Sequence, residues 1–156
     1  MKDIFQLQGK KEMPDNCFWD TNILVYDFLE PASNEEVKKQ VIIDELTDTI
    51  ISNKSRVFIS NQVLGEFINV LIKKYKFTEA IITDHVLNII KTFEIRILET
   101  MDYETAIKLS YKYQISFYDA LILAKALNSD CNILYSEDLS HNQIFENKLK
   151  VINPFL

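Results

Sequence analysis

Short apolar runs alternate with longer segments of helical periodicity along most of the chain. The apolar runs predict strands at 17–19, 56–59, 95–98, 132–135 and 149–152. Helices are predicted at 21–29, from Asn34 onward, around Glu66, and at 79–93, 103–113 and 118–128. Strands that alternate with helices are typical of an α/β fold, here with a central, mostly parallel sheet of four to five strands.

Capping residues and apolar spacing define the second helix. Asn34 is predicted to cap it, because Asn favours the position that precedes a helix. Ile42, Leu46 and Ile50 repeat every four residues, so they are predicted to form its buried stripe. The last apolar run, 149–152, is predicted to be an edge strand.

Length and composition indicate one soluble domain. The chain has 156 residues, of which 47% are hydrophobic and 26% charged. No apolar run approaches the ~20 residues that a membrane helix needs. Residues 17–156 are predicted to form a single domain, and the weakly patterned residues 1–16 a flexible lead-in. Cys17 and Cys131 suit core packing in the reducing cytoplasm, the expected location, with a disulfide between them as the alternative.

Four carboxylates stand where the pattern calls for apolar or turn residues. They are Asp20, Glu66, Asp119 and Asp138. Asp20 and Asp138 follow predicted strands, and the other two lie in the predicted first turns of helices. Because ligands of an open parallel sheet bind outside the carboxyl ends of the strands, we expect the four side chains to converge there.

Carboxylates crowded in this way need protons or a cation. Two unit charges ~4 Å apart repel by about 4 kcal/mol at an effective dielectric constant near 20. Oxygen ligands without a neighbouring His or Cys favour Mg²⁺ or Mn²⁺ over Zn²⁺. The sequence therefore predicts a divalent metal site, and hydrolysis of a phosphodiester is the reaction that such a site suits best.

Two of the acids have simple structural alternatives. Asp20 could be only an N-cap, since Asp is common before a helix. Asp138 could belong to an ordinary turn. Glu137 could also replace it as a metal ligand.

The two helical acids are harder to explain structurally. Glu66 could pair with Lys73 or Lys74 on a solvated helix face, although it shares its side of the helix with apolar residues. Asp119 lies in a run that is apolar almost all round. Lys125 comes six residues later and does not share its face, so it is not expected to neutralise this acid.

The charge balance bears on possible partners. A net charge of −6 argues against bulk, non-specific binding of nucleic acid. Lys73, Lys74 and Lys76 form the basic cluster best suited to phosphate contact, because they end the helix that carries Glu66. A solvated helix face is the alternative for this cluster.

Other chemistries have little support. Two glycines, Gly9 and Gly65, are too few for a P-loop or a dinucleotide fingerprint. Gly65 lies inside a helix, which indicates close approach by a backbone or a substrate. A phosphatase of the haloacid-dehalogenase type would need a second Asp two positions after Asp20, where Asn22 stands.

Four motifs contain these acids, and a fifth closes the chain. They are Phe18-Trp19-Asp20-Thr21-Asn22, Val63-Leu64-Gly65-Glu66-Phe67, Ser116-Phe117-Tyr118-Asp119-Ala120, Tyr135-Ser136-Glu137-Asp138-Leu139 and Val151-Ile152-Asn153-Pro154-Phe155. Together they resemble the PIN-domain family of metal-dependent ribonucleases, over nearly the whole chain. The closing motif is similar to that of VapC-like members, the toxins of bacterial and archaeal toxin–antitoxin pairs.

The resemblance implies a three-layer α/β/α fold and a metal centre. Mg²⁺ or Mn²⁺ would be held by Asp20 and Asp119, with Asp138 as a further ligand and Glu66 completing the acidic pocket. Three neighbouring polar side chains would orient the carboxylates or a water. They are Thr21, Asn22 and Ser136.

The resemblance also implies an activity and partners. The expected activity is endonucleolytic cleavage of RNA by a homodimer, which a small antitoxin protein silences. A catalytically inactive RNA- or protein-binding module of the same fold is the alternative.

Overall fold

The computed structural model describes residues 15–156. The predicted flexible lead-in, 1–16, lies outside the described residues except for Asp15 and Asn16. Asn16 already begins the first strand, one residue earlier than predicted.

A central sheet of six strands forms the middle of the described chain. The strands are β1 (Asn16–Trp19), β2 (Arg56–Ser60), β3 (Glu94–Arg96), β4 (Ile133–Tyr135), β5 (Ile144–Phe145) and β6 (Leu149–Ile152). Their order is β3-β2-β1-β4-β6-β5, and every neighbouring pair is parallel except β5 and β6. The predicted α/β fold is confirmed. The edge strand is β5 rather than 149–152, because two residues are too few to show a strand pattern in the sequence.

Six α-helices accompany the sheet in the described range. They are α1 (Thr21–Phe28), α2 (Asn34–Ser52), α3 (Asn61–Val70), α4 (Glu79–Thr92), α5 (Thr100–Tyr113) and α6 (Phe117–Asn128). A π-helical turn, Leu71–Tyr75, continues α3. Between residues 15 and 156, no helix combines the length and the apolar character that crossing a bilayer requires.

The α2 helix differs in detail from its prediction. Ser33 caps it instead of Asn34, because the Ser33 hydroxyl accepts a hydrogen bond from the Glu36 backbone N–H at 3.2 Å. Ile43 and Ile50 are its buried residues, whereas Ile42 is only half-buried. The buried face is therefore rotated slightly from the predicted stripe.

The core surrounds β1 and the helix α6. Phe18 and Trp19 of β1 are buried, as expected for a central parallel strand covered on both faces. Every residue from 120 to 126 in α6 is also buried, including Lys125. Its ammonium donates to the Asp102 carboxylate at 3.0 Å. Burial raises the pKa of Asp102, but hydrogen bonds, first that from Asn128, bring it below its ordinary value.

The two cysteines are free thiols in this core. Burial raises the pKa of Cys17 to about 12 and that of Cys131 to about 12. Both therefore stay protonated near neutral pH and act as small apolar residues.

The strand order reverses at β1. The chain goes from β1 to β2 and β3 on one side of the sheet, and then to β4 on the other. Such a reversal creates a crevice at the carboxyl ends of the two strands, here β1 and β4, whose following connections run to opposite sides of the sheet. Trp19 is in register with Tyr135, and the Asp20 N–H donates to the Tyr135 carbonyl at 3.0 Å. Asp20 and Ser136 therefore lie side by side at this crevice.

Candidate metal centre

Asp20 lies at the bottom of the crevice, at the end of β1, and is 4% exposed. One carboxylate oxygen accepts from the Thr21 backbone N–H at 2.6 Å, and the other accepts from the Ser136 hydroxyl at 2.7 Å. Burial raises the pKa of Asp20 to about 6; the Asp138 and Glu66 charges add to the shift, and the two hydrogen bonds oppose it. Asp20 is thus both an N-cap of α1 and a member of an acidic group.

Asp138 lies across the crevice, in the turn after β4. Its carboxylate accepts from the Asn22 side-chain amide at 2.8 Å, and its backbone N–H donates to the Ser136 hydroxyl at 3.1 Å. Burial raises the pKa of Asp138, and so do the charges of Glu137, Asp119 and Glu66. Ser136 therefore joins Asp138 to Asp20 through one hydroxyl group.

Glu66 reaches the same group from α3. It lies in the second turn rather than the predicted first turn and is half-buried. One of its oxygens accepts from the Thr21 hydroxyl at 2.7 Å, and the other accepts from Gln62 at 2.9 Å. Gln62 was not among the predicted site residues, although a polar residue four positions before a site acid lies on the same helix face.

Asp119 enters from the first turn of α6. Its carboxylate accepts from the Ser116 hydroxyl at 2.6 Å, and the same hydroxyl accepts from the Asp119 backbone N–H at 3.1 Å. Gln62 connects α3 to this turn by donating to the Tyr118 carbonyl at 3.4 Å. The Asp119 charge contributes to the raised pKa of Asp138, whereas no hydrogen bond joins the Asp119 side chain to any of the other three acids in the described chain.

The combined donor set suits a hard divalent cation. Four carboxylates come from four separate elements, and in the described chain none of them forms a salt bridge. Within residues 15–156, no three His, Cys, Asp or Glu side chains already form a group that could hold a metal ion. Carboxylate oxygens are the ligands that Mg²⁺ and Mn²⁺ prefer. The negative charges of Asp138 and Glu66 contribute to the raised pKa of Asp20. A bound divalent ion would offset this excess negative charge.

The structure differs from two expectations drawn from the sequence, that Glu137 could replace Asp138 and that a backbone approaches Gly65. Glu137 points to α2, where its carboxylate accepts from the Lys39 ammonium at 2.7 Å, so it is not free to replace Asp138. A Cβ added to Gly65 would meet no heavy atom within 4 Å, so no described protein backbone approaches this glycine closely.

The predicted phosphate-binding cluster lies apart from the acids. Lys73 and Lys74 are in the π-helical turn and Lys76 follows it; all three are exposed. Lys73 comes seven residues after Glu66, which corresponds to ~10 Å along a helix axis. The Lys74 ammonium lies 3.5 Å from Glu36.

Comparison with known proteins identifies the family. The family model described as PIN domain matches residues 17–145. Among solved structures, a toxin–antitoxin complex from Klebsiella pneumoniae is 20% identical with a TM-score of 0.60, over 89% of this chain and 98% of that chain. VapC20 of Mycobacterium tuberculosis, described as a Sarcin-Ricin loop cleaving toxin, is 15% identical with a TM-score of 0.59, over 76% and 87%.

A third structure is VapBC2 of Rickettsia felis bound to a DNA fragment from its promoter. It is 21% identical with a TM-score of 0.57, over 86% of this chain and 96% of that chain. No curated protein sequence is significantly similar. At these identities the solved structures establish the fold, and the family model spans most of the sequence. The chain therefore belongs to the PIN domain family.

Proposed function

We propose that this protein is an Mg²⁺- or Mn²⁺-dependent endoribonuclease and the toxin of a type II toxin–antitoxin pair. The observation that carries the proposal is that hydrogen bonds through Thr21 and Ser136 connect Asp20, Glu66 and Asp138 at the carboxyl ends of β1 and β4, with no salt bridge to any of them among the described residues. The Asp119 charge contributes to the raised pKa of Asp138, which supports Asp119 as the fourth member. The family assignment supports it, and so does the fold shared with toxins, one of which is described as cleaving the Sarcin-Ricin loop.

In this proposal Asp20, Asp119 and Asp138 hold the ion, and Glu66 completes the acidic pocket. A bound divalent ion would offset the charge that develops on a phosphate and lower the pKa of a coordinated water. Asp20 is the most buried of the four, so its carboxylate holds the inner side of the site. Asp138 is the most exposed and lies on the side open to a substrate.

Three polar side chains hold three of these four carboxylates in place. Thr21 donates to Glu66, Asn22 donates to Asp138, and Ser136 donates to Asp20. Each bond orients one carboxylate and leaves its remaining lone pairs for a ligand. These three carboxylates are therefore already oriented before an ion binds, and few side-chain rotations are needed for binding.

The proposal includes protein partners. Two of the similar structures are toxin–antitoxin complexes, which supports a small antitoxin protein as partner. Tyr103, Ile107 and Tyr111 repeat every four residues on α5 and are exposed, which supports an apolar contact in a homodimer. Light scattering of the purified protein measures the oligomeric state. The free, buried Cys17 and Cys131 suit the reducing cytoplasm.

The activity is tested by replacing one carboxylate at a time. Asp20→Asn and Asp119→Asn keep the side-chain volume and remove the charge of a proposed metal ligand. Each should therefore lower RNA cleavage by more than the roughly 10- to 100-fold that is typical of losing a residue that only orients a ligand. Asp84→Asn, an exposed acid of α4, serves as the matched control and should cleave like the wild type. Circular dichroism must show the same helix content in all variants.

Metal removal is the second test of the proposed activity. EDTA should stop cleavage, and added Mn²⁺ should restore it. Wild-type cleavage by Asp20→Asn or by Asp119→Asn would remove that residue from the site. RNA binding without cleavage under every metal condition would favour the inactive binding module.

A further inference from the structure

A second cluster lies directly behind the acidic pocket. The Lys39 ammonium of α2 donates to Glu137 at 2.7 Å and to the Tyr26 hydroxyl at 3.1 Å, and that hydroxyl donates to Glu137 at 3.0 Å. The ammonium also lies 4.9 Å from the centre of the Tyr26 ring and 5.0 Å from that of Phe155. The cluster thus connects α1, α2, the turn after β4 and the C-terminal residues.

We propose that Lys39 and Tyr26 are positioning residues, which clamp Glu137 and thereby hold Ser136 and Asp138 towards the metal site. The consequence for activity rests on the function proposed above. The consequence for ion binding is measured on the protein alone.

The sequence of the turn explains how the clamp acts. Ser136 and Asp138 contact Asp20 and Asn22 in the crevice, whereas Glu137 between them points to α2. Glu137 lies in a bend between Ser136 and Asp138, so anchoring its side chain restricts the short backbone segment that carries both neighbours. Of these three side chains, Glu137 is the one that Lys39 and Tyr26 bind, on the side of the turn that faces α2.

The Lys39 ammonium has little freedom to leave this position. The side chains of Lys39 and Glu137 are each 19% exposed, so the pair is partly shielded from water and salt. The Tyr26 and Phe155 rings meet edge to face, with centroids 5.4 Å apart, and both contact the cation. Burial lowers the pKa of Lys39, but the hydrogen bonds to Glu137 and Tyr26 raise it above its ordinary value, so the cation persists.

The direction of the effect separates positioning from simple electrostatics. Lys39→Met removes a positive charge near the pocket and frees a carboxylate next to Asp138. Coulomb attraction alone would then strengthen binding of a divalent cation. Positioning predicts the opposite, because the turn that carries Ser136 and Asp138 loses its anchor.

The chain contains a matched control with the same chemistry. Lys112 donates to Glu146 at 2.6 Å, Tyr113 donates to Glu146 at 3.0 Å, and the Lys112 ammonium lies 5.1 Å from the Tyr113 ring centre. This cluster joins α5 to the end of β5 and contacts none of the four acids. Lys112→Met therefore removes an equivalent charge and ring contact elsewhere.

The experiment titrates Mn²⁺ into each protein and follows free Mn²⁺ by electron paramagnetic resonance. Lys39→Met should weaken Mn²⁺ binding by about 10- to 100-fold, the range typical of residues that orient metal ligands. Tyr26→Phe, which removes only the hydroxyl, should weaken it less, and Lys112→Met should bind like the wild type. In cleavage assays, Lys39→Met should need more Mg²⁺ for half-maximal rate but approach the wild-type rate at saturation.

Wild-type or tighter Mn²⁺ binding by Lys39→Met would overturn the clamp while leaving the nuclease proposal intact, provided that the wild type binds Mn²⁺ and cleaves RNA. A wild type that neither binds Mn²⁺ nor cleaves RNA overturns both proposals. If Lys39→Met does not fold, Tyr26→Phe decides the question, because unchanged Mn²⁺ binding by that variant also overturns the clamp.

Discussion

Asp27 is a half-buried carboxylate whose ionised form is disfavoured by its surroundings, and it has no role in the proposed metal site. It lies in the last turn of α1, half-buried against α2, and its one side-chain partner is the Thr47 hydroxyl at 3.5 Å. Burial raises the pKa of Asp27 from 3.8 to about 6, and the nearby Asp44 charge contributes. A negative charge at a helix C-terminus is also opposed by the helix dipole.

The sign of the effect on stability follows from proton linkage. Folded Asp27 holds its proton more tightly than the unfolded chain does, so ionisation favours unfolding. The penalty is absent below about pH 4, grows as the pH rises towards 6, and is complete above that. A rise in the pKa of Asp27 from 3.8 to about 6 corresponds to about 3 kcal/mol. Because Asp27 is partly exposed, solvent screening reduces this to roughly 1–2 kcal/mol.

Asp27→Asn removes this penalty. The free energy of unfolding of the variant should exceed that of the wild type by roughly 1–2 kcal/mol near pH 7.5 and should equal it near pH 4. Urea unfolding in EDTA measures both, with fluorescence of the single, buried Trp19 as the probe. Asp84→Asn controls for the loss of one negative charge from an acidic protein. A stability gain that is equal at the two pH values, or a loss near pH 7.5, would show that ionised Asp27 does not destabilise the fold.

Two further substitutions test the packing of the helices. Gly65→Ala should raise the free energy of unfolding by up to about 1 kcal/mol, since the added methyl group meets no atom and Ala favours a helix; a loss of RNA cleavage in this more stable variant would indicate substrate contact at α3. Lys125→Met should lower the free energy of unfolding by roughly 3–5 kcal/mol, because it leaves the fully buried Asp102 charge without its cation. Unchanged urea midpoints would contradict either expectation.

Most strands and helices could be predicted because their signals are local, and the same local pattern marked the four acids as candidates. Asp20 and Asp138 directly follow apolar runs, and the carboxyl ends of parallel strands meet at one edge of the sheet. The predicted capping residue of α2, Asn34, was wrong by one position, since Ser33 and Asn34 are equally suited to cap a helix. The short strand β5 was missed because two residues carry no periodicity.

The partners of the charged residues could not be predicted because they depend on tertiary packing. Lys125 pairs with Asp102 across α5 and α6, a contact that spacing along one helix cannot show. Lys39 reaches Glu137 across 98 positions in the sequence. The sequence therefore indicated that the four acids have no basic side chain close to them along the chain. The structure adds which acidic side chains form salt bridges with distant lysines or arginines and which do not.

We propose that carboxylates from distant segments of the sequence form a single divalent-cation site. The most direct measurement is the anomalous scattering of manganese in a crystal of the full chain soaked in Mn²⁺. We predict an anomalous peak at the carboxyl ends of β1 and β4 that is bonded to oxygens of both Asp20 and Asp119. A peak that contacts neither residue, or a well-ordered crevice without bound manganese at saturating Mn²⁺, would contradict it.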